Sequence, residues 1–197
     1  MIPTSWHEIT VAQLMEISQA KNNMRDINAL LNLFIDTDDL TIDQFIEASA
    51  ELYKILTIKP ELVPCEEFEL DGEKYKLRTI EDFDVAEYCD YTELSKNAIE
   101  NLPLILGLIY ERENEDGETY IDRVKERAQK LLAMPADTAQ SALAFFLRRS
   151  MDFITSTLDS LEKNNPQLKK EIERLRDTLP FMSKSSESQD GTSEAEK

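Results

Sequence analysis

The chain has 197 residues, 41% of them hydrophobic and 31% charged, which suffices for one domain or for one domain with an appendage. Forty acidic against 22 basic residues leave a net charge of −18, a field that repels nucleic-acid phosphates and anionic membrane surfaces. The same field favours encounter with basic protein surfaces.

Thr10-Val11-Ala12-Gln13 has the spacing of a capping box, with Ile9 placed to staple onto Leu14. The helix it opens carries Val11, Leu14, Met15 and Ile17 on one face. Ile27, Leu30, Leu31 and Phe34 predict a second helix over about residues 26–35, broken by Asp36-Thr37-Asp38-Asp39. Thr41-Ile42-Asp43-Gln44 repeats the box and opens a third helix with Phe45, Ile46, Leu52, Ile55 and Leu56 as its apolar residues; Pro60 and Pro64 close this region.

From Phe68 the period changes. Phe68-Glu69-Leu70-Asp71-Gly72-Glu73-Lys74-Tyr75-Lys76-Leu77 alternates about an Asp-Gly pair, the strongest short-range hairpin signal. A two-residue turn sets Phe68 opposite Tyr75 and puts Leu70 and Leu77 on the same face, which neighbouring helices must cover. Helices resume near Glu81, with Phe83, Val85, Ala86, Tyr88, Tyr91, Leu94 and Ile99. After Pro103, Leu104-Ile105-Leu106-Gly107-Leu108-Ile109-Tyr110 is apolar on all sides and predicts the most buried helix. An acidic loop, Glu113-Asn114-Glu115-Asp116-Gly117-Glu118, separates it from a helix bearing Tyr120, Val124, Ala128, Leu131 and Leu132. Beyond Pro135, Asp137 or Thr138 can cap a long helix with Leu143, Phe146, Leu147, Met151, Ile154, Leu158 and Leu161 on one face.

Asn164-Asn165-Pro166 stops that helix and starts the last one, with proline at the first helical position. Leu168, Ile172, Leu175 and Leu179 then recur at steps of four, three and four, a narrow seam between charged flanks. Such a seam suits docking on one other helix, in this chain, in a second copy or in another protein. These four residues are the candidate partner-binding set. From Ser183 onward no large apolar residue occurs, which predicts a disordered acidic tail. The expected organisation is mainly α: residues 1–165 a helical domain with a β-hairpin at about 66–78, residues 166–182 an amphipathic docking helix, and residues 183–197 the tail.

The inventory for chemistry is thin. His7 is the only histidine, so a Ser–His or Cys–His pair would rest on it alone, and a surface or capping role suits it better. Two cysteines, Cys65 and Cys89, with one histidine supply neither a tetrahedral zinc set nor a disulfide framework; both thiols are expected to be buried. The four glycines are too scattered for a phosphate loop. Asp36-x-Asp38 with Glu47 matches part of a calcium loop, but Leu40 and Thr41 stand where a ligand and the glycine are needed, so a capped interhelical connection explains these residues better. Paired carboxylates are abundant and therefore uninformative, and a carboxylate-only enzyme is the remaining catalytic reading. No catalytic residue, cofactor or metal is expected.

The opening residues 1–8 lack a basic, apolar leader, and the longest apolar run, residues 102–110, is far short of the ~20 residues that span a bilayer. A reducing cytoplasm is the expected compartment.

Taken together, the segments resemble tail assembly chaperones and related small morphogenesis proteins of tailed bacteriophages. The resemblance lies in Ile2-Pro3-Thr4-Ser5-Trp6-His7-Glu8-Ile9-Thr10-Val11, a short extended lead with a tryptophan before the first helix. It continues in the hairpin ending Tyr75-Lys76-Leu77-Arg78-Thr79-Ile80-Glu81-Asp82, and in the order helix, acidic turn, helix, final helix from Leu104 through Phe146-Leu147. It covers most of residues 1–165 by pattern; the seam helix after Pro166 departs from it. The resemblance implies transient binding of an aggregation-prone tail protein, usually the tape measure, in the host cytoplasm, with no catalytic residues to carry over. A structural component or packaged cargo of the virion is the alternative.

Overall fold

The computed structural model describes residues 1–22, 27–63, 65–113, 115 and 119–178. The expected helix start at Asp26, Pro64, Asn114, residues 116–118 of the acidic loop, Leu179 and the tail 183–197 lie outside it. The described chain is mainly helical with a small antiparallel sheet, as the periodicity predicts. Packing divides it into two units, Met1–Arg148 and Arg149–Lys197.

In the first unit, α1 (Val11–Asn22) starts at the Thr10 box: the Thr10 N–H donates to Gln13 Oε1 at 3.0 Å and the Gln13 N–H to Thr10 Oγ1 at 3.3 Å. The same reciprocal pair at Thr41 and Gln44 opens α3 (Ile42–Thr57), each cap being worth about 1 kcal/mol. Between them α2 is shorter than predicted, Ile27–Asn32. Asn32 Oδ1 accepts from the Thr37 N–H and hydroxyl, so its side chain competes with continued helix and folds the following turn back instead.

The hairpin forms in the predicted register. β1 (Glu67–Leu70) pairs antiparallel with β2 (Glu73–Leu77), with Phe68 across from Tyr75. Asp71 and Gly72 both take positive φ, 52° and 79°, as the mirror-image turn requires. Phe68 stacks on Tyr75 with ring centroids 5.0 Å apart and meets Tyr110 edge-on.

Three helices cover the sheet and complete the core. Asp84 caps α4 (Val85–Leu94); α5 (Leu102–Ile109) is followed without a break by β3 (Tyr110–Arg112), and Thr119 caps α6 (Tyr120–Leu131). α5 is the predicted buried helix: Leu102, Ile105, Leu106, Gly107, Leu108 and Ile109 are all buried. The main core gathers these with Tyr75, Leu77, Tyr110, Leu131 and Phe146, each large apolar side chain stabilising by about 1.5–3 kcal/mol on burial. A hydrogen-bonded crossing ties the N-terminal segment beneath it: Val11 N–H to Met134 O at 2.9 Å and Ala136 N–H to Ile9 O at 2.7 Å. Satellite clusters form around Ile17 and Ile55 and around Leu31 and Leu52.

Four expectations are corrected. Tyr110, read as the last residue of the helix, instead opens a third strand over residues 110–112, because β2 has a second edge whose backbone groups need partners; Leu77 pairs with Tyr110 and Tyr75 with Arg112. Ile46 and Val85, both read as apolar-face residues, are exposed, since the inward line of α3 is Ala48, Leu52 and Ile55 and that of α4 is Glu87 and Tyr91. Cys89 is exposed for the same reason, and Cys65 is half-buried. The long helix α7 (Ala136–Asn164) begins before Asp137 and Thr138, so neither caps it; Asp137 sits in its first turn.

The second unit begins within α7. Its helix ends at Asn164, a tight turn follows at Pro166–Leu168, and α8 (Lys169–Thr178) folds back. Arg176 reaches Glu162 at 3.1 Å and Asp159 at 2.5 Å across the turn. Leu158 and Ile172 are its buried apolar residues. Among the described residues, no helix is long and apolar enough to cross a membrane.

Candidate functional site

The seam of the last helix is divided. Ile172 is 3% exposed within the turn of α7 and α8, whereas Leu168 and Leu175 are 42% and 52% exposed; Leu179 lies outside the described residues. One residue of the predicted set is therefore spent on the unit's own packing, and Leu168 and Leu175 are left at its surface.

Among the described residues of the first unit, three clusters pair buried or half-buried cations with carboxylates, though Arg112 Nε in the first of them is buried without a hydrogen-bond partner. Glu73 accepts from Lys130 Nζ at 2.6 and 2.8 Å, from Arg112 at 2.9 Å and from the Tyr75 hydroxyl at 2.9 Å. The Lys130 ammonium, with Arg112 and Tyr75, holds the Glu73 carboxyl down at about 2. Arg78 forks onto Glu87 at 2.7 and 2.8 Å while its guanidinium lies 4.6 Å from the Phe83 ring centre. Burial pulls the Glu87 carboxyl up, but the Arg78 pair and the Asp84 N–H outweigh it and hold it below the usual range. Arg127, almost fully buried, donates from Nε to Gly107 O at 2.7 Å and from Nη1 to both Glu115 oxygens at 2.7 Å. These are fasteners between α4, α5, α6 and the sheet.

His7, the sequence's one nucleophile-activating candidate, is exposed, with Nδ1 3.3 Å from Asp137 Oδ1 at the start of α7. Asp36 Oδ1 accepts the Asp38 N–H at 3.1 Å, and the loop leads into the Thr41 cap. No group of three or more metal-ligating side chains is gathered among the described residues.

The concave apolar surface lies elsewhere. A cleft of about 420 Å³ is lined by Trp6, Leu14, Ile17, Ile99, Leu102 and Leu143, with Ser18, Ala98 and Gln140 completing it. A second hollow of about 250 Å³ shares Ser18, Ala98 and Ile99 and continues over Met15, Gln19, Asn97 and Glu100. α1 contributes Leu14, Ile17 and Ser18, the turn between α4 and α5 contributes Ala98 and Ile99, and the first turns of α7 contribute Gln140 and Leu143. Trp6 is fixed at one end because its indole N–H donates to Ile58 O at 2.7 Å. The larger cleft carries no ionisable side chain. It suits apolar side chains presented by another chain, with Ser18 and Gln140 as neutral hydrogen-bonding points.

Sequence periodicity identified Leu14, Ile17, Ile99 and Leu143, but as apolar helix positions and not as a cleft. The cleft depends on Trp6, Ile99 and Leu143 converging from three distant segments, which no local pattern reveals. Comparison of the chain with protein families, characterised proteins and solved structures gives no match.

Proposed function

We propose that this chain is a non-catalytic protein-binding protein that shields apolar helical surface of a partner, in the manner of a bacteriophage tail assembly chaperone acting on the tape-measure protein. The observation that carries the binding reading is the uncharged apolar cleft at Trp6, Ile99 and Leu143. The tail client is supported by the pattern resemblance of residues 1–165. An uncharged apolar cleft on a protein of charge −18 fits shielding: it holds a sticky segment while the surrounding charge keeps the complex dispersed.

The test is co-expression with a bacteriophage tape-measure protein. The soluble fraction of that client rises with the wild-type chain and falls back with Ile99→Asp, a substitution at a half-exposed position that places a carboxylate in the cleft. A client equally soluble without the chain, or equally rescued by Ile99→Asp, removes the reading.

A further inference from the structure

One edge of the sheet is left open. In the order β1-β2-β3, β1 has β2 on one side only. The two-residue turn at Asp71-Gly72 makes Leu70 and Glu73 a hydrogen-bonded pair, so residues 70, 68 and 66 turn their backbone groups toward β2. The Leu77 N–H, donating to Glu66 O at 2.7 Å, continues that alternation. Glu67 and Glu69 fall in between and aim their N–H and C=O groups away from β2. Among the described residues no backbone group pairs with them there, and the only hydrogen bond they receive is from the Cys65 thiol, 3.4 Å from Glu67 O. Both residues are exposed. An unpaired strand edge is a template for another strand.

The side chains say what kind of strand fits. They stand above and below the sheet, so they meet the neighbours on both edges of β1 alike. On its paired edge, Lys76 lies opposite Glu67, Tyr75 opposite Phe68 and Lys74 opposite Glu69. Across the solvent face the charges alternate, Glu111 beside Lys76 beside Glu67, so the next position outward calls for a cation. On the other face Phe68 and Leu70 are half-buried and leave apolar surface for a neighbour. Residues 66–71 hold four carboxylates and no cation.

We propose that the free edge of β1 takes up an extended segment of a protein partner in which lysine or arginine alternates with apolar residues. Lys74-Tyr75-Lys76-Leu77, already seated on the other edge, is that pattern. Backbone hydrogen bonds from Glu67 and Glu69 hold the segment, and their carboxylates choose it. A second copy is turned away: β1 against β1 sets these carboxylates against themselves, and β3 brings Glu111 to them. The edge shares no residue with the Trp6 cleft and does not depend on the client proposed for it.

The test uses the full chain and two short capped peptides, one alternating lysine with valine and the other glutamate with valine. Fluorescence anisotropy reads affinity, and amide hydrogen exchange reads location. The lysine peptide binds, more weakly as salt rises, and slows exchange at Glu67 and Glu69 by about tenfold at saturation. The glutamate peptide does not bind wild type, and Glu67→Lys with Glu69→Lys transfers binding to it. Glu69→Pro removes an outward N–H that the hairpin does not use, so the circular dichroism is kept. Its affinity falls roughly fivefold below that of Glu69→Gln, which loses the same carboxylate but keeps the donor. The proposal is overturned if the lysine peptide fails to bind, if the glutamate peptide binds wild type equally well, or if the bound lysine peptide leaves the Glu67 and Glu69 amides unprotected. A folded Glu69→Pro that binds as Glu69→Gln does also overturns it; where the proline variant unfolds, amide protection decides. Concentration-dependent dimers that protect these two amides overturn it as well, since a second copy would then be the occupant. The client-solubility experiment with Ile99→Asp stands or falls independently of all these outcomes.

Discussion

The seam between α5 and α6 and the outer face of α3 both carry large apolar side chains but differ in how much of them is buried. At the seam the backbones approach so closely that a Cβ on Gly107 would sit 2.5 Å from the Val124 carbonyl oxygen and 3.1 Å from the Ala128 nitrogen. The same approach brings Arg127 of α6 to the Gly107 carbonyl, and its guanidinium ties the end of α5 to Glu115. On α3, by contrast, Ile42, Ile46 and Tyr53 touch solvent while the helix is already secured through its other side. Packing is tightest where no volume is spare, and large apolar side chains stay at the surface where the helix is already held.

The sharpest way to break that contrast is Gly107→Val. With α6 backbone atoms already in the space the new side chain needs, α5 and α6 must separate, and the loss is about 3 kcal/mol or more in urea unfolding. Arg127→Met keeps the bulk but leaves the Glu115 carboxylate and the Gly107 carbonyl without their donor, at a cost of about 3 kcal/mol by the same measurement.

Acid titration probes the neighbouring sheet fastener. Because Glu73 is held at about 2, below its unfolded value, its contribution is fully present above about pH 4.5 and is lost as the pH falls toward 2. The gap in urea midpoint between wild type and Glu73→Gln should therefore narrow over that interval; a constant gap would show that charge is not what the site contributes. Tyr110→Phe removes one hydrogen bond, from the Tyr110 hydroxyl to Cys65 O at 2.9 Å, and should cost about 1 kcal/mol in thermal unfolding. At the small end, Ile46→Gln with Tyr53→Gln should move stability by no more than about 0.5 kcal/mol, the usual range for surface changes. A large loss there would mean that this face of α3 belongs to the core and would erase the distinction between the two regions.

Local signals in the sequence carried the parts of the fold that local chemistry decides. Thr10 with Gln13, Thr41 with Gln44, and Asp71-Gly72 each specify a boundary through hydrogen bonds or dihedral angles within four residues, and all three form as read. The third strand was illegible because it is only three residues long and continues an apolar helical run; its identity comes from Leu77 and Tyr75, more than thirty residues earlier. Ile46 was legible as apolar but not as exposed, because periodicity reports spacing and not which of two adjacent faces meets the core. The cleft was hidden for a related reason, since Trp6, Ile99 and Leu143 become neighbours only after α1, α5 and α7 have packed. The seam of the last helix was legible as a line of four residues; that Ile172 faces inward while Leu168 faces water follows from the turn at Pro166–Leu168, which sets the rotation of α8.

The junction of α5 and β3 has a mechanical consequence. The helix ends at Ile109 and the strand begins at Tyr110 with no linker to absorb displacement, while Arg78 N–H holds the Ile109 carbonyl at 2.7 Å. Rotation of the helix must therefore drag the strand, so the two elements behave as a single lever. One residue inserted between Ile109 and Tyr110 would invert the alternation, swinging the tyrosine out to water and leaving the inserted side chain in the space its ring had filled.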